Sequence, residues 1–299
     1  MEEPVIEGLE PPKPAPTGLN IVVCIKQVPD SAQIRVHPVT NTIMRQGVPT
    51  IINPYDLFAL EEALRLRDEY GGQVTVLSMG PPMAEDALRR ALGLGADKAV
   101  LITDRRFAGS DTLATSFALA TALTKIGEER PIDIVFTGKQ TIDGDTAQVG
   151  PGIARRMSLT QLTYVSAIDS LDLAERSIIV RRRSEGGVQV LHSRLPCLIT
   201  MLEDSNTIRR GSIQDLLRAA RAPVLIWSAE DAGVEDPMKC GLRGSPTVVK
   251  RVFAPTPRAE KAQMVTVEGK KPDQVGDALL DLLFARDPKL EAVIAATAT

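Results

Sequence analysis

Residues 132–157 read IDIVFTGKQTIDGDTAQVGPGIARRM. The run Ile132 to Phe136 has the continuous apolar character of a strand buried on both faces. Thr137 to Gly144 is a polar, glycine-bearing loop, and a helix is expected from about Asp145 to Met157. The same strand-then-helix unit recurs upstream. Leu19 to Ile25 (LNIVVCI) is a buried strand. Ile34–Val36 and Thr42–Met44 flank a turn and suggest a small hairpin. Asn53-Pro54 opens a helix, with Asn as cap and Pro at the first helical position. Leu57, Leu60 and Leu64 line one of its faces, and Tyr70-Gly71-Gly72 closes it. Strand Gln73 to Ser78 leads to a helix begun by Pro81-Pro82, with Ala84, Leu88, Ala91 and Leu92 inward. Ala99 to Ile102 is strand-like, and Ser110 is the expected cap of a helix reaching about Ile126. This steady alternation predicts an α/β fold: a doubly wound, mostly parallel sheet.

The pattern changes after Leu162. Tyr164 to Ile168, Ser177 to Arg183 and Val188 to His192 read as an antiparallel excursion, with turns at 171–175 and 185–187. Cys197 to Met201 is one more buried strand. A short helix over Ser212 to Ala220 and a strand over Val224 to Trp227 follow. From Ala229 the chain is rich in Pro and Gly, an extended C-terminal tail ending in a helix over Asp273 to Ala285. Three divisions are expected: a flexible arm over 1–18, a nucleotide-binding α/β domain over 19–228, and a tail over 229–299 that wraps a partner subunit.

The whole composition narrows the function. The chain has 299 residues, 43% of them hydrophobic and 24% charged, with a formal charge of -3. That balance argues against a generic nucleic-acid binder, and 3% aromatic residues against a base-stacking platform. Cys24, Cys197 and Cys240 are odd in number and far apart, which fits neither a zinc ribbon nor a disulfide framework and suggests a reducing, cytoplasmic compartment. Only two histidines are present, His37 and His192, too few for most histidine-based metal or triad sites. The arm carries four glutamates and five prolines, the opposite of a secretory signal. No membrane insertion is expected, only association through a partner.

Ligands in open parallel sheets sit beyond the C-terminal strand ends. Four stretches fall there: Cys24 to Lys26, the helix start Asn53-Pro54-Tyr55-Asp56, Ser78-Met79-Gly80, and the loop Gly138 to Gly150. In that loop Gly138 and Gly144 permit close backbone approach. Asp145 or Thr146 can cap the next helix, whose N–H groups make an anion site, and Lys139 adds positive charge. Together they suit the phosphates of a nucleotide. Asp143 and Asp145 either bind ribose hydroxyls or cap the turn. There is no G-x-x-x-x-G-K-[ST] loop and no G-x-G-x-x-G fingerprint. The aspartates do not fit the D-x-D-x-[TV] motif of haloacid-dehalogenase phosphatases. Cys24 reads as a small strand-end residue rather than a nucleophile. Arg181-Arg182-Arg183 reads as a solvated strand face or the rim of a partner surface.

Three segments are similar to the beta subunit of electron transfer flavoprotein, the family that includes the FixA-type subunits. The first is Val22 to Asp30, with Asn53-Pro54 and the Glu61-Glu62-Ala63 helix after it. The second is Gly138-Lys139-Gln140-Thr141-Ile142-Asp143-Gly144-Asp145. The third is the ordered pattern from Val180 to Thr200: Arg182, Glu185-Gly186-Gly187, Gln189, Leu191 and Pro196-Cys197-Leu198-Ile199-Thr200. The resemblance covers roughly residues 19 to 258, and it speaks against a free-standing regulator of the universal-stress type.

The resemblance implies that an adenine nucleotide lies against Cys24, Asn53, Pro54, Tyr55, Asp56, Met79 and the loop Gly138, Lys139, Gln140, Thr141, Ile142, Asp143, Gly144, Asp145, Thr146, Ala147, Gln148 and Val149. In ordinary members this is a structural AMP, and the partner alpha subunit holds the single FAD. Asp143-Gly144-Asp145-Thr146 resembles instead the electron-bifurcating branch, where a second FAD takes the AMP place, and Gly241 to Thr247 resembles that branch too. NADH is then the electron donor. One electron passes to the alpha-subunit FAD and on to a dehydrogenase or a quinone oxidoreductase of the FixC type; the other passes to ferredoxin or flavodoxin. No catalytic side chain, no metal and no activity of the isolated subunit are implied. A docking segment is implied over about Glu203 to Leu217, with Ile213 as its apolar anchor and Arg210 where the family carries an aromatic neighbour.

Overall fold

The computed structural model describes residues 18–30, 35–36, 43–44, 49–248, 264–266, 268–269 and 271–297. The arm over 1–17 and His37 lie outside them. The first half contains β1 (Leu19–Cys24), β2 (Gln27–Pro29), β3 (Arg35–Val36), β4 (Ile43–Met44) and β5 (Thr50–Ile52), then α1 (Pro54–Tyr70), β6 (Gly72–Met79), α2 (Glu85–Gly93), β7 (Lys98–Ile102), α3 (Thr112–Glu129) and β8 (Ile134–Gly138). The second half contains α4 (Val149–Met157), β9 (Thr160–Asp172), β10 (Ser177–Ser184), β11 (Gly187–Arg194), β12 (Cys197–Met201), α5 (Ile213–Arg221), β13 (Leu225–Trp227), α6 (Pro272–Arg286) and α7 (Pro288–Thr297). Two compact units result, Met1–Val252 and Phe253–Thr299. The second contains α6 and α7.

The sheet of the first unit runs β11-β10-β9-β12-β8-β1-β6-β7-β13. From β12 to β13 the pairings are parallel, while β10 pairs antiparallel with both β9 and β11. The fold class expected from the alternation is therefore the observed one. The small hairpin is also present, with Arg35 and Val36 facing Met44 and Ile43.

All six residues of β1 are buried, because both faces are covered. Leu19, Ile21 and Val23 join Leu60, Leu64, Leu88 and Leu92 in one hydrophobic layer under α1 and α2. Val22 and Cys24 join Ala118, Leu123, Ile153 and Ala154 in a second layer under α3 and α4. The period of two sends alternate side chains to opposite helical layers. Asp133, a charge at the edge of the apolar run, accepts the Asn20 N–H at 2.7 Å and pairs with Arg176 at 2.9 Å. That satisfaction lets it lie buried beside the strand.

Several boundaries differ from expectation: β9 runs Thr160–Asp172 where a strand over Tyr164 to Ile168 is expected, and α2 begins at Glu85 rather than at Pro81-Pro82. The cap of α3 is Asp111, whose carboxylate accepts the N–H groups of Leu113 and Ala114. Ser110 instead donates to the Phe107 carbonyl. The helix expected from Asp145 begins at Val149, because Asp145 and Ala147 stand in the left-handed region at φ 50 and 54. Residues 229–248 lie within the first unit: Ala229, Ala232, Val234 and Cys240 belong to the layer under α3 and α4. Ser245 and Thr247 bond to Asp111 at the start of α3.

The chain passes from β1 through β6 to β7 on one side, then returns to place β8 on the other. The switch of direction lies between β1 and β8, and in open α/β sheets such a switch point forms a ligand crevice beyond the C-terminal strand ends.

Candidate functional site

Asp56, in the first turn of α1, closes the floor of this crevice. It is 4% exposed. Its carboxylate accepts the Lys26 N–H at 2.8 Å and the Gly138 N–H at 3.1 Å, so one side chain holds the ends of both β1 and β8. Burial pushes its pKa up to about 7, against the lowering pull of these donors and of Asn53.

Asn53 does not cap α1 with its side chain. Its amide reaches 87 residues onward, donating to the Gln140 carbonyl at 2.9 Å, and its oxygen accepts the Ile142 N–H at 3.1 Å. The expected cap thus orders the loop after β8. Gly138 is required by the same packing. A Cβ there would stand 2.5 Å from the Asp56 carboxylate and 2.6 Å from the Tyr55 Cβ. The group that approaches Gly138 closely is therefore α1.

The loop itself is a turn. Asp145 N–H returns to the Thr141 carbonyl at 2.9 Å, and the Gln140 amide donates to Asp145 at 2.8 Å. Gly144 is unlike Gly138: a Cβ would meet only the Thr141 hydroxyl, at 3.3 Å. Behind the turn no side chain caps α4. Pro151 has no N–H, and the Gly152 N–H turns back to the Gln148 carbonyl at 2.9 Å. Val149 and Gly150 therefore supply the first-turn N–H groups. Gly150 seats this turn on the sheet, since a Cβ would fall 2.9 Å from both Thr137 and Thr200.

Two lysines flank the loop. Lys26 pairs with Asp143 at 2.7 Å. Burial raises the Asp143 carboxyl, but bonds from Lys26 and Thr141 bring it below the usual carboxylate range. Lys139 lies 2.8 Å from Glu203 and 4.7 Å over the Tyr55 ring. Glu203 also pairs with Arg183 at 3.2 Å, and these cations, Lys139 foremost, bring its pKa down to about 2. The Lys139 charge expected for a phosphate is thus already balanced by a carboxylate.

Cys24 and Met79 end β1 and β6 at the same edge of the sheet. Burial raises the Cys24 thiol far above its ordinary range, which keeps it neutral. Asn53, Asp56, Gly138, Gln140 and Ile142 form one hydrogen-bonded group. Thr146 is exposed, whereas Pro54 and Ala147 are partly buried. Among the described residues no cluster suits a metal ion, and no helix is long and apolar enough to cross a membrane. The ion-pair partners Asp143 and Glu203 are the site features least visible in sequence, because each bond joins residues far apart along the chain.

The segment after β12 is fastened to α1. Arg209 donates to Glu61 from its backbone N–H at 3.0 Å and its Nε at 2.9 Å, and to Asp68 at 2.7 Å. Asn206 donates to the Phe58 carbonyl at 3.0 Å. Ser212 and Asp215 cap α5 reciprocally. Ile213 is 74% exposed, with Leu216 and Leu217 exposed beside it, although Leu216 also reaches Gly93 at the end of α2.

The model of the electron transfer flavoprotein domain matches residues 40–232. Protein FixA of Azorhizobium caulinodans is 73% identical over 281 residues, covering 94% of this chain and 99% of that one. Protein FixA of Azotobacter vinelandii is 61% identical over 277 residues, covering 93% and 99%. Electron transfer flavoprotein subunit beta of Clostridium acetobutylicum is 48% identical over 233 residues, covering 78% and 87%.

Proposed function

The chain belongs to the electron transfer flavoprotein family as a subunit of the beta type, and from that premise we propose that it pairs with an alpha subunit and binds FAD in the crevice between β1 and β8. When bound there, FAD supplies acceptance of a hydride from NADH and release of the two electrons singly, one toward an alpha-subunit FAD and the other toward a ferredoxin or flavodoxin. The alpha-subunit FAD would in turn serve a dehydrogenase or a quinone oxidoreductase of the FixC type as the proposed partner.

One observation carries the reading. The uncapped first turn of α4 stands behind a turn in which Gly144 leaves its side-chain space open. This supports a pyrophosphate at that turn: the N–H groups of Val149 and Gly150 would donate to it, and the helix dipole would favour its charge. A glutamate at 144 would bring a like charge into the same space. Lys26 supplies a cation at the rim once it turns from Asp143. Asp56 and Asn53 hold the strand end and the loop in register. This chain's part is binding, orientation and electrostatics. No side chain is assigned as acid, base or nucleophile.

Ile213, Leu216 and Leu217 are proposed as the apolar contact for the dehydrogenase or quinone-linked partner. Their exposure on a capped, fastened helix supports this.

The test is a count of the nucleotides released from the heterodimer. Two FAD and no AMP are expected. One FAD with one AMP overturns the bifurcating reading in favour of an ordinary electron carrier.

A further inference from the structure

The two ends of the segment Val180–Thr200 meet at one point on β9. Ile199 pairs with Leu162 and Met201 with Val165, so both Thr163 and Tyr164 stand opposite Thr200. This is a β-bulge. Tyr164 takes φ 58 there, the left-handed region that bulky side chains rarely adopt. The conformation is held from both neighbouring strands. Thr200 Oγ1 accepts the Tyr164 N–H at 3.0 Å. Arg182 Nε donates to the Thr163 carbonyl at 2.8 Å, and its Nη2 to the Thr163 hydroxyl at 3.2 Å. Leu202 N–H closes on the Val165 carbonyl at 2.9 Å.

Glycine would relieve this backbone, and asparagine would tolerate it. A tyrosine stands there instead, and its side chain is not absorbed by the core: the residue is 37% exposed. Strain of this kind persists where the surrounding structure over-determines it, often at ligand sites. The bulge lies at the C-terminal edge of the sheet. Met201, beside it, pairs with Gly138, and Thr200 touches the space above Gly150 in the first turn of α4. Tyr164 therefore lies at the same end of the sheet as the crevice, two strands from β8 with β12 between them.

We propose that Tyr164 is a contact residue of this crevice, presented by the bulge so that its ring stacks on the planar ring system of the bound flavin. Arg182 and Thr200 are the positioning residues that hold it. The inference rests on the reading of the crevice as a flavin site.

The test uses the heterodimer with its alpha partner, FAD as the probe, and the variants Tyr164→Phe and Tyr164→Asn. Asparagine accepts the left-handed backbone but lacks the ring, so melting should not fall. The dissociation constant of the FAD in this crevice should rise about 5- to 100-fold, as for the loss of an aromatic stacking partner. The visible absorption and fluorescence of that flavin should change with it. Tyr164→Phe should stay within about twofold of the wild type. Both FAD bound with unchanged affinity and spectra in Tyr164→Asn would overturn the proposal. If that variant does not assemble, Thr200→Ser and Thr200→Val replace it. Serine keeps the acceptor and should keep the flavin; valine should weaken it, and equal affinity in the two overturns the positioning. A wild-type heterodimer holding AMP in place of the second FAD would mark the failure of the flavin reading itself.

Discussion

Asp56 carries a titration that two strand ends depend on. Its buried carboxyl has a raised pKa of about 7, with burial as the main cause. The folded chain therefore holds this proton where an unfolded chain has lost it. The stability it contributes is complete below about pH 4 and is lost as pH rises toward 7. Asp56→Asn should remove that slope, so the stability difference between wild type and variant should change by on the order of 1–4 kcal/mol between pH 4 and 7.5. Thermal unfolding across that range is the measurement, and parallel curves would refute the assignment. Gly144 gives the complementary case. A side chain there meets only the Thr141 hydroxyl, so Gly144→Glu should fold normally. Its charge and bulk should nevertheless expel the nucleotide, leaving one FAD per heterodimer; a variant that retains both would deny a close approach of pyrophosphate.

At the scale of elements, α5 is seated before any partner arrives. Its entry is fixed by Arg209 on Glu61, and Gly211 is pressed against α2 so closely that a Cβ would stand 1.8 Å from the Gly93 carbonyl. An apolar face held in this way loses little conformational freedom on association. Ile213→Glu should therefore act on docking alone. Electron transfer to the partner oxidoreductase should fall at least about tenfold, mainly through a raised KM, as for an anchoring apolar residue, with melting and flavin content unchanged. An unaltered KM would remove α5 from the docking surface. The expected helix start at Asp145 missed for a reason at this same scale. Two left-handed residues, Asp145 and Ala147, keep the chain turning until Gln148, and neither is a glycine that would have marked them.

The whole molecule shows why the sheet was legible in the sequence and the wiring of the site was not. Strands such as β1 and β8 are apolar throughout because helices cover both faces, and that pattern is local. The hairpin turns at 171–175 and 185–187 were likewise written in neighbouring residues. Lys26 with Asp143, Lys139 with Glu203 and Arg182 with Thr163 depend on which strands become neighbours, and no spacing along the chain carries that information. The same holds for Asn53, which has the identity of a cap but whose side chain bonds to a loop that the topology brings beside it.

The strand order has a consequence for synthesis. β12 lies between β8 and β9, yet it follows the whole β9–β11 excursion in the chain. Until residue 201 has left the ribosome, the outer edge of β8 has no permanent neighbour, and its N–H and C=O groups can template a wrong strand. The crevice, where the Lys139 N–H bonds to the Met201 carbonyl, is completed only when this late strand pairs with β8.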